Sequence, residues 1–171
     1  TGLFPALSLI YSLNEQQNLR FGYAKTIARP SFKELSYAEI YDPISGRTFI
    51  GGLFRDADDE LGIEYWDGNL VITDIHNLDL RWEMFKPEGQ MLSVSGFYKM
   101  FNNPIEIVQY ATQAGAFQPR NVGDGQVFGA ELEFRFSFST FSEALRNMSI
   151  SSNLTWTKSL IKMSNTEYQS R

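Results

Sequence analysis

The sequence predicts an all-β protein: antiparallel up-and-down strands forming part, about six strands, of a larger transmembrane β-barrel. Three observations predict it. Long stretches alternate apolar and polar residues without a break, the connections between them are short and long in turn, and the few charges on the apolar face stand near one end of their strands.

In a strand, successive side chains point to opposite faces. Residues 7–13 set Leu7, Leu9, Tyr11 and Leu13 against Ser8, Ile10 and Ser12. After a short connection at 14–17, residues 18–27 set Leu19, Phe21, Tyr23 and Ile27 against Arg20, Gly22, Ala24 and Thr26. A long connection, 28–72, leads to residues 77–84, where Leu78, Leu80, Trp82 and Met84 oppose Asn77, Asp79, Arg81 and Glu83. The turn at 86–90 is short, and residues 91–101 then set Leu92, Val94, Tyr98 and Met100 against Ser93, Ser95 and Lys99. A second long connection, 102–126, precedes the clearest stretch. There Phe128, Ala130, Leu132, Phe134, Phe136 and Phe138 alternate with Gly129, Glu131, Glu133, Arg135 and Ser137. The connection at 139–147 has a helical turn expected over 141–145, and the last strand, 148–160, sets Met148, Ile150, Leu154, Trp156 and Leu160 against serines, threonines and Asn153.

Composition narrows the classes of function. Lys plus Arg is 15 against Asp plus Glu 20, which leaves no basic stripe for nucleic acid. No apolar run approaches the ~18 residues of a spanning helix. With no cysteine there is neither a disulfide frame nor a thiolate site. The opening Thr1-Gly2-Leu3 reads as an internal start, because no basic and apolar leader precedes it.

Which oil the apolar face meets is decided by its charges. Lys or Arg at mid-bilayer costs ~2 to 4 kcal/mol and almost nothing at the interface. Lys25 and Lys158, the two lysines in the outward phase, both fall toward the long-loop end, where a lysine reaches headgroup phosphates. Tyr98, Phe128 and Trp156 fall toward that end as well, and Phe136 and Phe138 toward the other, as aromatic girdles require. Lipid is therefore the expected partner of the apolar face. The other phase carries the charges expected to face a water-filled lumen: Arg20, Asp79, Arg81, Glu83, Lys99, Glu131, Glu133 and Arg135. Heights counted from the short turns predict cross-strand pairs between Arg20 and Glu83 and between Lys99 and Glu131. Six strands do not close a barrel, so residues 1–171 are expected to be a section of a larger one.

Four ordered motifs carry a family resemblance. They are Ala28-Arg29-Pro30-Ser31-Phe32-Lys33-Glu34-Leu35, Asn77-Leu78-Asp79-Leu80-Arg81-Trp82-Glu83, Phe97-Tyr98-Lys99-Met100-Phe101-Asn102-Asn103-Pro104-Ile105-Glu106, and Gly129-Ala130-Glu131-Leu132-Glu133-Phe134. In that order the chain resembles the C-terminal barrel half of TonB-dependent outer-membrane receptors. The resemblance implies a 22-stranded barrel in the outer membrane of a Gram-negative bacterium, plugged by an N-terminal domain. It also implies import of a scarce nutrient such as a siderophore or glycan, driven through the TonB system of the inner membrane. The expected partners are the rest of the barrel, the plug, TonB and outer-membrane lipid. Neither a plug nor a closing strand with a terminal aromatic is seen before the end at Tyr168-Gln169-Ser170-Arg171.

Enzymatic chemistry is not expected and no cofactor is implied. His76 is the sole histidine, no G-x-S-x-G occurs, and it reads as a polar residue at the membrane rim. Asp56, Asp58, Asp59 and Glu60 crowd one loop without the spacing of a calcium loop, and read as a solvated acidic tip. Tyr65 and Trp66 are the best ligand-contact candidates in the aromatic-rich first long loop. Asp42-Pro43-Ile44-Ser45-Gly46 and Val122-Gly123-Asp124-Gly125 read as turns. Two other functions share parts of this pattern: a non-transporting barrel for adhesion or assembly, and a soluble β-domain that binds a small ligand.

Overall fold

The computed structural model describes residues 2–162; Thr1 and the expected chain end at Tyr168 to Arg171 lie outside the described residues. Among the described residues there are twelve strands: β1 (Ala6–Asn14), β2 (Gln17–Ala28), β3 (Glu39–Asp42), β4 (Arg47–Ile50), β5 (Asp56–Asp58), β6 (Ile63–Trp66), β7 (Thr73–Lys86), β8 (Gln90–Asn102), β9 (Ile105–Gln109), β10 (Ala116–Asn121), β11 (Gly125–Ser137) and β12 (Ser149–Ile161). They form a six-stranded sheet in the order β1-β2-β7-β8-β11-β12, a four-stranded sheet in the order β3-β4-β10-β9, and a two-stranded sheet of β5 and β6. Single-turn 3₁₀ segments occupy Pro87–Gly89, Phe138–Thr140 and Glu143–Leu145. The described residues divide into two compact units, one holding 2–26, His76–Met100 and Gln126–Leu160, the other holding Ile27–Ile75, Phe101–Gly125, Ile161 and Lys162.

The six long strands are those the alternation predicts, antiparallel and up-and-down. Register follows the phases. In the β1/β2 pair Leu7 faces Tyr23, Leu9 faces Phe21 and Tyr11 faces Leu19, while Ser8 faces Gly22 and Ser12 faces Asn18. A slip of one residue would mix the two faces, so this pairing fixes which side is apolar. Burial on this sheet is inverted relative to a water-soluble core. Glu83 is 4% exposed and Ser93 is buried, while Leu154 is 67% exposed and Leu80, Leu132, Phe134 and Trp156 are all open.

Aromatic rings gather at both ends of β11. Phe128 lies between Tyr98 and Trp156, with ring centroids 6.5 and 6.0 Å away. Phe136, Phe138 and Phe141 form a second cluster with separations of 5.7 to 6.4 Å. Gly129 permits the close packing beside the first cluster, since a Cβ there would overlap the Trp156 carbonyl and come within 2.6 Å of the Phe97 ring.

In the second unit the two long connections supply β3 to β6, β9 and β10. These strands are 3 to 6 residues long, too short to display a period. Asp42 shapes the β3/β4 turn, accepting from the Ile44 amide at 3.0 Å and the Ser45 hydroxyl at 2.6 Å. β10 pairs in parallel with β4 through Ala116 and Phe117 and antiparallel with β9 from Phe117 to Asn121. Pro119 is tolerated in β10 because β4 pairs no farther than Phe117. The apolar core is small, comprising Ile50, Leu70, Val108, Ala116 and Val122. Polar bonds supply much of the rest.

Candidate functional site

In the first unit, the inward-phase charges form a connected layer. Arg20 Nε donates to Glu83 Oε1 at 2.5 Å, the first pair predicted from strand heights. Arg81 holds the other Glu83 oxygen at 3.2 Å and extends to Glu133 at 3.0 Å. Since β8 lies between β7 and β11, the Arg81–Glu133 bridge spans two strand spacings, about 10 Å. Small side chains beneath make that span open, and β8 presents Ser93 and Ser95 in this phase.

The second predicted pair does not form. Glu131 accepts from the Ser95 hydroxyl at 3.4 Å. Ser95 thus stands opposite Glu131, as Tyr98 stands beside Phe128, and Lys99 lies four residues farther along β8, about 13 Å from Glu131. Height counted from turns fails here because the turns preceding β8 and following β11 differ in length. His76 pairs with Tyr23, its Nδ1 3.0 Å from the phenol oxygen and the rings stacked at 6.1 Å.

In the second unit, the acidic loop is the clearest departure from expectation. Asp56 is fully buried, not part of a solvated tip. Its carboxylate pairs with Arg120 and accepts from the Ala111 amide at 2.7 Å, the Thr112 amide at 3.3 Å and the Thr112 hydroxyl at 2.8 Å. Arg120, 3% exposed, also donates to Gln118 Oε1 at 2.8 Å, and its guanidinium lies 5.4 Å from the Tyr110 ring centre. Gln118 passes the chain onward, donating to the carbonyls of Gly51 at 2.9 Å and Phe54 at 2.7 Å. The Tyr110 hydroxyl donates to the Arg55 carbonyl. Burial, with the Asp56 charge second, holds the Tyr110 phenol above its ordinary pKa.

The remaining acids of that loop are engaged locally. Asp58 accepts from the amides of Glu60 and Leu61, and Asp59 and Glu64 flank Arg55 at 3.5 and 2.6 Å. Among the described residues, no three acidic or histidine side chains are grouped to hold a metal ion. Trp66 donates its indole N–H to the Gly52 carbonyl at 2.8 Å, and Tyr65 beside it is half-buried.

On the opposite face of the four-stranded sheet lies a pocket of about 410 Å³. Its floor follows from the register: Ile40 faces Phe49, Phe49 faces Phe117, and Pro119 faces Ile107, which puts all five on one side. Its wall is the 31–36 turn. The Ser31 amide donates to Glu34 at 2.6 Å and the Glu34 amide to Ser31 Oγ at 3.3 Å, a reciprocal capping box. The Gly52 amide fastens this turn through the Glu34 carbonyl at 2.8 Å. Only glycine serves at Gly51 and Gly52, since a Cβ at either would overlap the Ser36 carbonyl or the Leu70 side chain. The Ala28-Arg29-Pro30-Ser31-Phe32-Lys33-Glu34-Leu35 motif, whose role the sequence alone did not give, thus builds one side of a pocket.

Comparison with known proteins agrees with this architecture. The crystal structure of the siderophore receptor PirA from Pseudomonas aeruginosa superposes with a TM-score of 0.68 at 18% identity, covering 92% of this chain and 28% of PirA. No curated protein sequence matches the chain. The family model described as TonB dependent receptor-like, beta-barrel matches residues 1–170, and the chain belongs to that family.

Proposed function

We propose that the chain is a section of an outer-membrane receptor of a Gram-negative bacterium that imports a scarce nutrient through a plugged barrel, energised by TonB. One observation carries this reading: the six-stranded sheet buries Glu83 and Ser93 while exposing its leucines, phenylalanines and Trp156. Water as the outer solvent would reverse that arrangement, whereas lipid outside and a wet lumen inside produce it. In this reading Arg20, Asp79, Arg81, Glu83, Lys99, Glu131, Glu133 and Arg135 face the lumen. Glu83 and Arg81 are the centre of the charged layer that a plug would meet.

Nutrient class follows only by analogy with PirA, a siderophore receptor. Of the two aromatic candidates, Tyr65 is the better ligand contact, because the Trp66 indole is already tied to Gly52. The test is uptake by the intact receptor in cells that lack their other receptors of this class, with and without TonB. Expected is growth on at least one ferric chelate or oligosaccharide that disappears when TonB is removed. Unchanged growth on every such nutrient after deletion of the receptor overturns the proposal and favours a non-transporting barrel.

A further inference from the structure

We infer that the pocket between the 31–36 turn and the four-stranded sheet binds a ring-bearing organic anion and is the ligand-recognition site of the importer; this rests on the import reading above. Size agrees, since about 410 Å³ falls within the range of small-molecule sites. So does shape. Phe49 and Phe117 lie with ring centroids 6.3 Å apart and planes tilted by 35°, and Ile40, Ile107 and Pro119 complete an apolar floor beside them. Ile40, Phe49 and Ile107 are all exposed on this floor, so a flat ring laid over the phenylalanines would remove apolar surface from water and gain an aromatic contact.

Charge then selects among ring-bearing ligands. Lys33 lines the pocket, and no ion-pair partner is found for it among the described residues. Arg47 stands over the Phe117 ring, 5.2 Å from its centre. Glu34 also lines the pocket, its carboxylate accepting from the Ser31 amide, while Asp42 accepts from the Ile44 amide and Ser45 hydroxyl in the β3/β4 turn. A carboxylate or phenolate on the ligand therefore meets an available ammonium. The wall is also preorganised by the capping box and by its fastening to Gly52, which limits the ordering cost of binding.

The test uses the full-length receptor in detergent and two probes, salicylate and its neutral isostere salicylamide, with binding read by ligand-observed NMR titration. Expected is a preference of about fivefold for salicylate, the scale of one solvent-accessible ion pair. Lys33→Gln should reduce that preference below about twofold and leave salicylamide affinity unchanged. Phe117→Ala should weaken both probes, and Ile107→Asn serves as a second floor variant should Phe117→Ala disturb folding. Absence of binding at about 10 mM of either probe, or equal binding of both that neither Lys33→Gln nor the floor variants alter, overturns the inference. Uptake measured in parallel separates the two proposals. TonB-dependent growth without probe binding removes the pocket and keeps the importer, whereas probe binding that follows the expected pattern without any uptake keeps the pocket and removes the importer.

Discussion

Replacing Arg120 by Met should loosen the second unit more than any other single change in its polar network. The substitution keeps the length of the side chain and removes the guanidinium, so Asp56 stays buried with a charge that has lost its ion-pair partner. Breaking a buried pair in this way costs ~3 to 5 kcal/mol. Three donors remain on Asp56, from Ala111 and from the amide and hydroxyl of Thr112, which places the cost near the lower end, about 3 kcal/mol. Gln118 loses its bond from Arg120 Nε, and with it the support for the two carbonyl contacts to Gly51 and Phe54. At ~1.4 kcal/mol per tenfold, the amides of β9, β10 and the 110–112 stretch should exchange with deuterium about 150-fold faster. The assay is hydrogen exchange by mass spectrometry on the intact receptor. A cycle with Asp56→Leu completes it, since removing both charges should cost less than the sum of the single changes by at least about 2 kcal/mol. Acceleration below about threefold for Arg120→Met, or additive behaviour in the cycle, would refute the view that this pair pins the unit.

Four further outcomes follow from the geometry. Leu132→Arg, on the exposed apolar face near the middle of β11, should destabilise folding into lipid vesicles by ~2 to 4 kcal/mol, while Glu131→Gln beside it should change little; equal effects would contradict the assignment of faces. The Arg20–Glu83 pair should show a coupling of ~0.5 to 1 kcal/mol in a double-mutant cycle by urea titration, held down by the exposure of Arg20. Gly129→Ala should lower the unfolding temperature markedly, by the ~1 to 3 kcal/mol of an overpacked site, because its methyl group has no space between Trp156 and Phe97. The Ser45 hydroxyl, and then the Ile44 amide, hold the Asp42 carboxyl below its ordinary pKa. Its contribution to the β3/β4 turn is therefore present above the ordinary value of about 3.9 and is lost as pH falls through the lower folded value. Exchange at the β3/β4 turn should accelerate with acid in that window, and Asp42→Asn should remove the dependence.

How much of this was legible depends on how many repeats of a pattern each element contains. β11 has five apolar residues in one phase and β7 has four, and period 2 over that length admits one answer. β3 and β4, with four residues each, hold two residues per face, which chance produces as readily as a fold does. Asp56 was misread for a different reason. It stands in an acidic run, and its partner Arg120 lies 64 residues away in a second loop with no periodicity to mark it. A closer signal existed in Gln118 and Arg120, two polar residues in one phase of a short strand whose other phase begins with Phe117 and Pro119. The Arg20–Glu83 pair was legible because β2 and β7 are neighbours, while Lys99 and Glu131 show that turn lengths must be known before heights can be compared.

The two aromatic clusters measure the membrane. Phe128 and Phe136 are eight positions apart on one strand, about 27 Å along it, and a tilt of ~40° reduces this to about 21 Å across the bilayer. An average hydrocarbon layer is ~30 Å thick, and the bacterial outer membrane is thinner than average. A barrel with girdles this close would have to thin a thicker bilayer around itself, at fractions of a kcal/mol for each ångström. Ring spacing on β11 therefore sets the bilayer thickness that fits this strand. The spacing suits a thin bilayer better than a thick one.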